Sequence, residues 1–104
     1  MSAGMRVLAG LLEAVEAETP YGGRSVTFEA LGSAWLKCGA RRRRERADGD
    51  AGPRGVETLS AETRADPRLI EARVLRLGGA DWRIVGVDGE RRPGRVTLDL
   101  ERMR

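Results

Sequence analysis

The segment Gly39–Gly55, GARRRRERADGDAGPRG, limits what this chain can fold into more than any other, because no small core can absorb it. It places Arg41, Arg42, Arg43, Arg44 and Arg46 around a lone acid, Glu45, then runs through Asp48, Asp50 and Arg54 among Gly49, Gly52, Pro53 and Gly55. Burying an unpaired charge costs more than a marginally stable domain has in reserve. The guanidiniums must therefore face water, a subunit boundary or an anionic partner. The segment reads as a long flexible Arg/Gly-rich loop, 39–55, set between two β-strands.

The whole chain, 104 residues, reads as a single domain, 1–104, able to bury very roughly two-thirds of its unfolded surface. Its large aromatics are only Tyr21, Phe28, Trp35 and Trp82, so the core is modest and association between copies would stabilise it. Net charge is +3, from 19 basic and 16 acidic residues, so the excess is local to the arginine run rather than spread over a basic face.

The same composition argues against several functions. With no histidine and a single cysteine, Cys38, the usual zinc sets, Ser-His-Asp and Cys-His catalysis and an intrachain disulfide are all out of reach. Glu13, Glu16 and Glu18 fit a solvated face better than an acid-base set. The glycines of GGADW lack the lysine-serine or lysine-threonine pair of a phosphate loop. We therefore assign no catalytic residue, no metal ligand and no cofactor, and expect a non-enzymatic protein. No apolar run is long enough to span a membrane and no signal-peptide pattern is present, which makes the cytoplasm the default compartment.

Along the chain, residues 5–18 carry Val7, Leu8, Leu11, Leu12 and Val15 at helical spacing. A turn at Pro20–Gly23 follows, and Arg24–Glu29 alternates as a strand with Val26 and Phe28 on one face. Ser33–Ala40 sets Trp35 and Lys37 against Leu36 and Cys38, and Val56–Arg64 is a weaker strand. Ala72–Leu77 leads through Gly78-Gly79 into Asp81–Asp88, whose Trp82 and Ile84 oppose Val85 and Val87, so that this strand reads as covered on both sides. Val96, Leu98 and Leu100 define the last strand. Five to seven short strands joined by glycine turns point to a mainly β fold, a small antiparallel barrel or sandwich. Val26, Phe28, Leu36, Trp82, Ile84, Val96, Leu98 and Leu100 are its expected scaffold.

Taken in order, Tyr21-Gly22-Gly23, the Trp35 strand, the long loop, and Gly78-Gly79 followed by Trp82-Arg83-Ile84-Val85 resemble the head-tail joining (head-closure or stopper) proteins of long-tailed phages and their counterparts in gene transfer agents. The resemblance runs from about Leu11 to Arg102. It implies a β-barrel subunit of a hexameric ring at the head-tail junction of a virion or phage-like particle assembled in the bacterial cytoplasm. The portal and adaptor would lie above, the tail terminator or tail tube below, and double-stranded DNA would pass through the channel. It also implies a strand at Leu11–Glu18, against the helical spacing, and leaves 1–10 as a helix or N-terminal arm.

On that resemblance the loop bearing Arg41, Arg42, Arg43, Arg44, Arg46 and Arg54 faces the DNA channel, and the first five of these in six copies would gather roughly thirty positive charges in one annulus. Phe28, Trp35, Trp82 and Ile84 are then core or subunit-contact anchors. The residues alone keep two other readings open: a solvated loop with no ligand, and a small nucleic-acid-binding β-barrel that uses Arg41–Arg46 directly.

Overall fold

A computed structural model describes residues 6–47 and 53–103, with 44–47 and 53–54 as backbone only. It contains six strands: β1 (Arg6–Glu18), β2 (Arg24–Ala47), β3 (Pro53–Arg64), β4 (Val74–Leu77), β5 (Ala80–Asp88) and β6 (Arg95–Arg102). All pairings are antiparallel, and β1 bonds to β4 as well as to β2, so the sheet closes in the order β1-β2-β3-β6-β5-β4. The mainly β, antiparallel expectation holds. The strands are not uniformly short, since β2 alone runs 24 residues and merges the two separate strands expected over 24–40.

From Arg6 onward the N-terminal segment is strand, which corrects the expected helix or arm over 1–10; Met1–Met5 lie outside the described residues. Helical spacing there is misleading, for Ala9 and Leu11 face the core while Leu8, of the apolar set, is 50% exposed. A helix would satisfy the backbone locally, but only a strand here can supply both β2 and β4 with partners and close the barrel edge.

Period-two alternation fills the barrel. Leu36, Leu59, Leu75, Trp82, Ile84, Leu98 and Leu100 converge from five strands and are at most 5% exposed. Each contributes about 1.5–3 kcal/mol through burial. The Gly78-Gly79 turn joins β4 to β5 with φ of 58° and 75°, the left-handed pair that a two-residue hairpin requires. On β5 a bulge between Ile84 and Gly86 brings Val87 opposite Leu98, so Val85 and Val87 do not share a face as expected. Both remain over a third exposed: Val85 faces outward, where no second layer of the described residues covers the barrel, and Val87 is one residue from the end of β5.

Two ribbons leave the barrel. Pairing of β1 with β4 stops at Leu12–Val74, so among the described residues Glu13–Glu18 has β2 as its sole ladder partner. Pairing of β3 with β6 stops at Thr58–Glu101, so among the described residues Pro53–Glu57 has the end of β2 as its ladder partner. The principal extents of 54 × 33 × 26 Å fit these projections. Val26 and Phe28, expected in the scaffold, lie on the first ribbon and are 54% and 37% exposed. A two-stranded ribbon has no packed layer opposite it, and they line only a cleft shared with Arg76, Asp81 and Arg102.

The first ribbon departs at a bulge in which Leu11 pairs with Gly32 and Leu12 with Ala30. Arg68, from the β3–β4 connection, clips this point: it donates to the carbonyls of Leu31 (2.9 Å) and Ser33 (3.4 Å) while Asp66 holds the same guanidinium at 2.7 Å. Gly32 has φ of 129°, and the Arg68 guanidinium occupies the space a Cβ would need. Gly32→Ala is expected to cost about 1–3 kcal/mol in urea unfolding, from backbone strain and displacement of this clip.

Candidate nucleic-acid interface

The arginine run is strand, not loop. Arg41–Ala47 pairs residue by residue with Pro53–Leu59, and only 48–52, between them, lie outside the described residues. The reason is physical. Extension turns successive side chains to opposite faces, separating neighbouring guanidiniums that a compact loop would crowd, and the ladder satisfies the backbone. In register, Arg43 also stands opposite Glu57.

The run divides by environment. A bulge between Cys38 and Arg41 sets Arg41 opposite the core residue Leu59, and its guanidinium carbon lies 5.2 Å from the centroid of the Trp82 ring. Trp82 is 1% exposed, so Arg41 caps the barrel interior through a cation–π contact. Arg43 lies across Gly55, where an added Cβ would come within 2.6 Å of its Nε. Arg42 is exposed. Arg44, Arg46 and Arg54 stand at the register positions Arg44–Val56 and Arg46–Arg54 of the outer ribbon.

Cys38 is half-buried against the core, and burial pushes its thiol above the ordinary value even though Arg41 pulls it down. That is the opposite of an activated thiolate. The two tryptophans also separate. Trp82 is core together with Ile84, while Trp35 is 61% exposed and directly opposite Leu8 on the outside of the barrel.

Beside Trp35 lies a groove of about 600 Å³, bordered by Arg6, Lys37, Arg64 and Arg95 from four strands. Sequence reasoning did not find it, since only the Trp35–Lys37 alternation was legible and the other cations are distant in the chain. Its acids are engaged: Glu62 accepts from Arg92 (3.1 Å) and Arg95 (3.0 Å), and Asp66 is held by Arg68.

These hydrogen bonds hold the carboxyls of Glu62 and Asp66 below the usual range, as Arg76 does for Asp81. A depressed folded-state pKa stabilises fully above the unfolded value of about 4 and loses that contribution as pH falls through the folded value. Thermal unfolding between pH 5 and 2 is therefore expected to show Tm declining below about pH 4, with a shallower decline in Asp66→Asn.

With this geometry in place, the fold can be compared with known structures. The chain is similar to one in the solved virion of a native gene transfer agent (GTA) particle, with a TM-score of 0.69 and 24% identity over 92% of this chain and 93% of that one. No protein-family model and no curated protein sequence matches it. What the likeness shows is the fold, shared over nearly the full length of both chains.

Proposed function

We propose that this chain is a structural, non-enzymatic particle protein, a ring-forming head-tail connector of a phage or gene transfer agent. The observation that carries the reading is the fold shared, over most of its length, with a chain of a gene transfer agent virion. In this reading six copies form a ring between the portal and adaptor on one side and the tail terminator or tail tube on the other. The β2–β3 ribbon points into the channel, where Arg42, Arg44, Arg46 and Arg54 meet the phosphates of DNA and help retain it. Ring closure needs a heterologous interface, and the outer wall offers exposed Leu8, Trp35 and Val85 for subunit contacts.

Electron microscopy of the particle that contains this chain tests the proposal. A closed ring at the capsid-tail junction with density for this fold is expected; dispersed monomers along nucleic acid would sink it. That second outcome belongs to the runner-up, a free nucleic-acid-binding barrel. It draws on one feature, since a basic two-stranded ribbon is narrow enough to enter a DNA major groove.

A further inference from the structure

We propose that the groove beside Trp35 is the seat for the β1–β2 ribbon of a neighbouring copy. The inference rests on the ring reading above and names the contact that would close the ring. The groove is cationic and apolar together: Trp35 lines it, with exposed Leu8 as its cross-strand partner beside it, and Arg6 stands opposite Lys37 two positions along the same face. Arg6, Lys37 and Arg64 make no salt bridge within 4 Å among the described residues; Lys37 stands opposite Glu62, but that carboxylate is bonded to Arg92 and Arg95, as Asp66 is to Arg68.

The ribbon carries the complementary chemistry. Glu16, Glu18 and Glu29 are exposed on it, with Arg24 alone as a cation, and the Arg24–Glu16 contact is a loose 3.5 Å between exposed side chains. Tyr21 at its tip is 97% exposed, and Val26 and Phe28 remain 54% and 37% exposed along a cleft shared with Arg76 and Asp81 of the same chain. A leg of this length reaches roughly 20 Å beyond the barrel. Ribbon and groove share no residue, so the contact is heterologous and can repeat around a ring. An aromatic anchor with arginines around it is the composition expected at the centre of an interface, and opposite charges on the two sides fix its register.

Sedimentation velocity of the full chain over a concentration series tests this. Lys37→Glu with Arg64→Glu, and separately Glu16→Arg with Glu18→Arg, are each expected to raise the midpoint of self-association at least about tenfold. Combining all four changes should recover most of the loss, which general misfolding would not allow. Trp35→Ser, an uncharged change at an exposed position, should weaken association without altering the circular dichroism spectrum. A midpoint unmoved by both reversals, a failure of the combined variant to recover, or a wild-type chain that stays monomeric to its solubility limit would overturn the docking. Failures remain distinguishable: a junction ring indifferent to these changes removes this contact and leaves the connector, whereas a complete particle lacking the chain removes the connector and leaves a charge-swap rescue standing.

Discussion

Trp82→Ala is expected to cost about 3–5 kcal/mol of unfolding free energy, the largest single-residue effect in the chain. Trp82 is the bulkiest side chain in the core, and its neighbours Ile84, Leu75 and Leu100 come from three strands that cannot all collapse into the space left behind. The change also strips Arg41 of its ring, leaving a cation over an emptied core. Because domains of this size hold only about 5–15 kcal/mol in total, the variant should be partly unfolded at physiological temperature. Its buried Nε1 has no hydrogen-bond partner among the described residues, so Trp82→Phe removes that defect along with part of the ring and should cost much less than alanine. Urea titration with circular dichroism checks both. The control is Trp35→Ala, expected within about 1 kcal/mol because that ring is mostly in solvent; comparable losses for the two tryptophans would contradict the inside-outside assignment.

The second large effect concerns DNA. Replacing Arg42, Arg44, Arg46 and Arg54 with glutamine, while keeping Arg41 for Trp82 and Arg43 over Gly55, is expected to leave the fold intact and abolish most binding to double-stranded DNA. If all four meet phosphates, the slope of log K against log salt should fall in magnitude by about 3.5, at roughly 0.9 for each phosphate no longer neutralised. Fluorescence anisotropy with a short duplex at several salt concentrations reads this directly. Under the connector proposal particles still assemble with such a chain but leak DNA. Under the runner-up the protein loses its function altogether. An unchanged slope would remove the β2–β3 ribbon from DNA contact under either reading. Retaining Arg41 matters, since deleting the whole run would mix a stability loss with the electrostatic one.

Much of the barrel was legible from period-two alternation. The last strand faces inward with Val96, Leu98 and Leu100, and Gly78-Gly79 makes the expected tight turn. Alternation failed where it was asked which face has anything opposite it. Val26 and Phe28 alternate as cleanly as Leu98 and Leu100, yet they sit on a ribbon beyond the last β1–β4 pair. Helical spacing misled at Val7–Val15 because a local periodicity carries no record of a second pairing partner. The candidate site was legible as charge and not as geometry: its arginines were evident, but their extended pairing and the diversion of Arg41 onto Trp82 depend on β3, more than ten residues further on.

By itself the sequence determined that five guanidiniums stay out of the core, that histidine chemistry is absent and that a small set of alternating apolar residues makes a β core. Each follows from the desolvation cost of charge or from the period of a strand, which are properties of residues and their nearest neighbours. Only the tertiary structure decided that the arginine run is a ribbon, that one of its members caps the barrel, and that Trp35 stands outside among cations drawn from four strands. Those outcomes depend on register between distant segments, and register is fixed by closing the whole sheet.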